Sequence, residues 1–93
     1  MRKKLLVVDD EFDIVNMLRD YFEMSGYDVL TALSGAEALE KLRLQPDMIL
    51  LDINMPDMDG LEVCKRIRNH VSCPILFLTA RVDDTDKITG FRV

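Results

Sequence analysis

The sequence has no long apolar run. Leu5-Leu-Val-Val8, Met48-Ile-Leu-Leu51 and Ile75-Leu-Phe-Leu78 are each far shorter than the ~18 residues a membrane span needs, so no membrane partner is expected. The start, Met-Arg-Lys-Lys, is basic and then apolar, as a signal peptide would be. Its apolar part stops at Asp9-Asp10, too early for a signal h-region, and the cytoplasm is the expected location. Basic residues are outnumbered: 12 Lys and Arg against 17 Asp and Glu give a net charge of −5. Direct binding to nucleic acid is not expected, because phosphate recognition needs a basic surface. Cysteine is scarce. Cys64 and Cys73 form neither a metal-binding pair nor a C-x-x-C motif. Cys64 falls on an apolar helical stripe and Cys73 just before a strand, so both are expected to be buried free thiols. Repeats, linkers and low-complexity segments are also missing. A chain of 93 residues, 48% hydrophobic with mixed charge, makes one small globular domain over residues 1–93.

What is present is a regular alternation of short apolar runs and amphipathic stretches. Residues 5–8 read as a first strand. A helix over about 12–25 follows, with Ile14, Leu18 and Tyr21 on one stripe, Val15 and Phe22 widening it, and Gly26 as the left-handed stop. Residues 27–31 alternate as a short second strand. Ser34-Gly-Ala-Glu37 is a capping box, the Ser34 hydroxyl and Glu37 carboxylate each satisfying an orphan amide. It opens a second helix to about Leu44, with Ala38, Leu39 and Leu42 inward. After the breaker Pro46, residues 48–52 read as a buried parallel strand. Asp59 is placed as the cap of a third helix, with Leu61, Cys64 and Ile67 on its stripe and Val63 beside it. Residues 75–78 form a fourth strand. Asp83 or Asp84 opens a fourth helix through Ile88 and Phe91. The order βαβαβαβα predicts a parallel sheet with helices on both faces.

The polar residues that matter end the strands. Asp9-Asp10 closes the first, Asp52 the third, and Thr79 the fourth. Open α/β sheets place ligands outside the carboxyl ends of their strands. Three carboxylates brought together repel and raise at least one pKa. A hard divalent cation such as Mg²⁺, which takes one or two carboxylates, a carbonyl and several waters, removes that penalty and leaves Asp52 usable as a nucleophile. A solvated loop is the plain alternative, since acids at strand ends are common in α/β folds. A calcium loop is the rival metal reading. In the EF-hand register that places Gly60 correctly, position one is Met55 and position twelve is Arg66, neither of which is a ligand.

Val7-Val-Asp-Asp-Glu11, Leu50-Leu-Asp-Ile-Asn-Met-Pro-Asp-Met-Asp-Gly60 and Pro74-Ile-Leu-Phe-Leu-Thr-Ala80 resemble the receiver domain of bacterial two-component response regulators. The whole chain is similar in order and spacing, most of all to the branch with a winged-helix DNA-binding domain after the receiver. The resemblance implies a flavodoxin-like (CheY-like), doubly wound α/β sheet, in which strands one and three are neighbours. It implies that Asp52 is the phosphoacceptor, taking a phosphoryl group from a sensor histidine kinase or a small-molecule phosphodonor. Asp10 would ligate Mg²⁺ directly and Asp9 directly or through water. Asp52 and the main-chain carbonyl of Asn54 would complete the protein's share. Thr79 would be the switch hydroxyl, with Ala80 leaving room for the donor. The output expected is the switching of an attached DNA-binding domain.

The family continues beyond the equivalent of Val93, with a fifth strand ending in Lys-Pro and a fifth helix. The expectation for this chain is therefore a sheet in order 2-1-3-4 with strand 5 and helix 5 missing, a C-terminally truncated receiver without an output domain. The family lysine contacts the phosphoryl group, and Lys87, Arg81 and Arg92 do not match its position. A bare fourth-strand edge and an uncovered sheet face invite pairing, so a homo-oligomer is expected. The alternative reading is a fragment that self-associates there and does not signal. An enzyme, such as an aspartyl-phosphate phosphatase, is not expected, because Asp52-Ile-Asn-Met-Pro lacks the second Asp that would serve as acid and base.

Overall fold

The computed structural model describes residues 2–52, 60–78 and 91–92. Strands β1 (Lys4–Val8), β2 (Asp28–Ala32), β3 (Met48–Asp52) and β4 (Ile75–Leu78) are all parallel. A two-residue strand, β5 (Phe91–Arg92), completes a sheet in the order β2-β1-β3-β4-β5. Helices α1 (Phe12–Met24), α2 (Gly35–Lys41) and α3 (Gly60–Arg68) connect the parallel strands.

The apolar runs become strands because both of their faces are covered. On β1, Leu6 and Val8 pack on the α2 and α3 side, with Ile49, Leu51, Ile75, Val63 and Ile67. Leu5 and Val7 point the other way, onto Leu18 of α1 together with Leu50 and Leu78. Leu5, Leu6, Ile49 and Leu51 are fully buried. Alternate residues serve opposite faces, so the run must be apolar throughout.

The helices differ from expectation in which residues they bury. Val15 and Leu18 are buried, while Tyr21 is 62% exposed. Phe22 takes the inward place, edge-on to Tyr27 at 5.7 Å. The buried face centres between Val15, Leu18 and Phe22, and Tyr21 falls on its flank. In α3, Val63 and Ile67 are fully buried, Cys64 is half-buried and Leu61 is exposed. A spacing of three falls short of the 3.6-residue turn, so the run 61, 64, 67 rotates off the buried face. Both cysteines are free and half-buried rather than fully buried, and burial pushes the Cys73 thiol up.

The turns follow the local chemistry. α1 ends at Met24 with Ser25 as its C-cap, and Gly26 adopts φ +101°, where a side chain would be strained. Ser34 Oγ accepts the Glu37 N–H at 3.1 Å, and the Glu37 carboxylate accepts the Leu33 N–H at 2.8 Å. The second arm of the capping box thus reaches one residue further upstream than in the standard motif. α2 stops at Lys41 and tightens into a 3-10 turn, Leu42–Leu44, before Gln45 turns left-handed at φ 58°. Pro46 follows and forbids a longer helix.

The C-terminal expectation needs correction. Phe91, read as part of a fourth helix, lies in β5, and the edge of β4 is not bare. Phe77 pairs with Arg92 and Leu78 with Phe91, antiparallel. A sheet edge presents unpaired amides and carbonyls, and an antiparallel neighbour can supply partners without a crossover helix. Leu78 is fully buried, and Leu76 and Phe77 are half-buried. The fourth-helix residues Asp83, Asp84 and Ile88 lie outside the described residues, as do Lys87 and Arg81.

Candidate functional site

The ladder places the site. β1 and β3 are adjacent, with Val8 opposite Leu51, so the residue after each run emerges at the same sheet end. Asp9 follows Val8 there, and its N–H donates to the Ala32 carbonyl at 3.1 Å. The chain then turns into α1. The Glu11 N–H donates to Asp9 Oδ1 at 2.9 Å, which fixes that carboxylate before the helix begins. Asp52 ends β3.

Asp9, Asp10 and Asp52 each offer a carboxylate oxygen, and these oxygens all lie within 4.8 Å of one another. Asp9 is 1% exposed and Asp52 7%, while Asp10 is exposed. Asp9 Oδ2 is buried and has no hydrogen-bond partner among the described residues. Burial pushes the Asp9 carboxyl from 3.8 up to about 7. The Glu11 amide pulls it down, and the charges of Asp52, Asp10 and Glu11 push it up again. An all-oxygen donor set with one buried, unsatisfied carboxylate oxygen suits a hard cation. A divalent ion would supply the missing partner and offset the repulsion.

Three of the site residues expected from sequence, Asp9, Asp10 and Asp52, therefore come together. Asn54 and Thr79 lie outside the described residues, as do Asp59 and Ala80. Sequence reasoning gave Glu11 no role, yet its amide orients Asp9. An Asp bonded to the amide two residues on is a common turn device, and its position just before a helix is the signal that points to it.

Comparison with known proteins gives the family and the fold. Residues 5–93 match the family model of the response regulator receiver domain. The chain is 50% identical to the alkaline phosphatase synthesis transcriptional regulatory protein PhoP of Bacillus subtilis, with 100% of this chain and 40% of the relative aligned. It is 41% identical to the transcriptional regulatory protein CpxR homolog of Haemophilus influenzae, over 97% of this chain and 40% of that protein. The chain thus spans about two fifths of the length of the curated relatives it matches. Among solved structures, the chemotaxis protein CheY4 of Vibrio cholerae superposes with a TM-score of 0.83 at 38% identity, covering 90% of this chain and 73% of that one. The BeF3-activated N-terminal receiver domain of Klebsiella pneumoniae RstA gives 0.79 at 31% identity, over 88% and 71%. Among the described residues no helix is long and apolar enough to cross a membrane. With the family model matched from residue 5 to residue 93, the chain belongs to the response regulator receiver domain family.

Proposed function

We propose that residues 1–93 act as a phosphoacceptor signalling module in which Asp52 receives the phosphoryl group. The observation that carries this is the buried Asp9 carboxylate, one oxygen unpartnered, held beside Asp10 and Asp52 at the sheet's carboxyl end. A carboxylate oxygen of Asp52 attacks phosphorus. The P–N bond of a phosphohistidine breaks, its electron pair goes to the departing imidazole nitrogen, and that nitrogen takes a proton from solvent. With a small acyl phosphate, the P–O bond breaks and a carboxylate leaves. Mg²⁺, held by Asp9, Asp10, Asp52 and the Asn54 carbonyl, would neutralise the charge on the transferring group and fix its orientation when bound.

Around that ion, the Glu11 amide holds Asp9 in place, and the buried walls of β1 and β3 keep Asp52 largely out of water. The acyl phosphate adds about one to two negative charges and new acceptors to this crevice. Thr79 is the hydroxyl expected to answer them, and an attached winged-helix DNA-binding domain the expected output. The donor in this reading is a histidine kinase or a small phosphodonor in the cytoplasm, and the chain is a switch rather than an enzyme. A homo-oligomer would have to form through the sheet face, where Leu76 and Phe77 are half-buried, because β5 pairs with the edge of β4; self-association without labelling would favour the alternative of a fragment that does not signal. Light scattering that gives a monomer at every concentration removes that part.

The test is labelling by a small acyl phosphate, read by intact mass. One phosphoryl group per chain is expected with Mg²⁺, little after chelation, and none in Asp52→Asn. Label that persists in Asp52→Asn moves the acceptor elsewhere. Label indifferent to chelation removes the ion from the reading.

A further inference from the structure

At the amino-terminal end of the sheet, opposite the carboxylates, a cleft of about 470 Å³ opens between the loops that enter β3 and β4. Small-molecule sites span about 300–1,000 Å³. One wall comes from the 3-10 turn with Gln45-Pro46-Asp47, the other from His70 to Pro74. The Ile49 N–H donates to the Pro74 carbonyl at 3.0 Å and ties the two together. Free carbonyls at chain turns such as these repel an anion, yet one on each wall carries a cation. Lys4 Nζ donates to the Leu44 carbonyl at 2.9 Å, and Arg68 Nη1 to the Cys73 carbonyl at 2.9 Å. The acid that lines the cleft, Asp47, has its Oδ2 taken by the Lys4 N–H at 2.8 Å. Arg43, Gln45, His70 and Ser72 line the same space, and among the described residues none of their side chains spends a donor on a protein acceptor.

We propose that this cleft binds a small phosphomonoester. The Arg43 guanidinium is a planar fork that matches a phosphate through two parallel bonds, and His70, Gln45 and Ser72 add further donors. A tetrahedral dianion accepts from more directions than a planar carboxylate, which suits four donor groups. Leu42, Pro46 and Val71 give the cleft an apolar wall, and its volume exceeds that of a phosphate group, so an organic body fits beside the anion. The chain carries a net charge of −5, but its charges are divided by position. Lys4, Arg43 and Arg68 gather at this end, whereas Asp9, Asp10 and Asp52 stand at the other. The cleft is separate from the carboxylate crevice, so its occupancy does not depend on labelling of Asp52.

The test is an amide-resolved NMR titration of the whole chain, without divalent ions, using phenyl phosphate, inorganic phosphate and succinate. Phenyl phosphate is expected to give saturable shifts centred on residues 43–47 and 70–74, with inorganic phosphate weaker and succinate weakest. Arg43→Gln should weaken phenyl phosphate about tenfold, as suits loss of hydrogen bonds from a charged donor. Arg43 is exposed, so that variant should fold, and His70→Asn is a second variant that should also lose affinity. Arg19→Gln removes the same charge from α1, away from the cleft, and should bind as wild type. Shifts that never saturate, or that centre on the carboxylate crevice, overturn the proposal. Succinate binding as tightly as phenyl phosphate overturns the ligand class. An equal loss in Arg43→Gln and Arg19→Gln also overturns it, because attraction by charge alone would then explain the binding.

Discussion

At the scale of single residues, Asp9 is the costly one. Its carboxyl is buried beside other carboxylates and titrates near 7 instead of 3.8. Between those values the folded chain holds a proton that the unfolded chain has released, so stability falls as pH rises from about 4 to about 7 and levels off above. A shift of that size amounts to roughly 4 kcal/mol at most. Thermal melts without divalent ions should therefore show a lower midpoint at pH 7.5 than at pH 5.5, and Mg²⁺ should raise the pH 7.5 value most. Asp9→Asn keeps an oxygen for the Glu11 amide and removes the charge. It is expected to stabilise the ion-free protein at pH 7.5 by ~1–3 kcal/mol, to flatten its pH dependence and to lose most of the stabilisation by Mg²⁺. A variant that stays as pH-sensitive as wild type would show that another group titrates.

At the scale of elements, the helices are set by their ends as much as by their stripes. α2 spans only Gly35–Lys41, too short to persist without help, and the Ser34 cap with the Glu37 return bond supplies part of it. Ser34→Ala should cost ~1 kcal/mol, seen as a fall of about 4–8 °C in Tm for a domain of this size, and Ser34→Asp should restore most of it. The capping box was readable from four letters because it depends only on neighbours in sequence. Which side of α1 and α3 turns inward was not. Tyr21 and Leu61 obey helical spacing loosely, and only the sheet beneath decides that Phe22 turns half-buried toward the core and Val63 is fully buried in their stead.

At the scale of the whole molecule, burial separates residues of one type. Leu50 is 1% exposed between β1 and β4, and Leu61 is 54% exposed on α3. Leu50→Ala is expected to lose ~2–5 kcal/mol, enough to threaten a domain whose net stability is about 5–15 kcal/mol. Leu61→Ala should stay within about 0.5 kcal/mol of wild type. Urea unfolding of both variants checks the contrast, and equal losses would mean that α3 packs on another face.

The sequence alone determined the alternation of strands and helices, the parallel sheet and the acids at its strand ends. Each is local: a four-residue apolar run can be satisfied only with both faces covered, and an Asp directly after it must emerge at the strand's carboxyl end. Tertiary structure decided the rest. The pairing of β1 with β3, expected only by family resemblance, is what gathers Asp9, Asp10 and Asp52. The depth of Asp9, the bond of Lys41 to the Thr31 carbonyl and the antiparallel placement of Phe91–Arg92 against β4 depend on partners from other elements. Burial, charge repulsion and edge pairing are properties of neighbours in space, and patterns local to a stretch of chain do not reveal which distant residues those neighbours are.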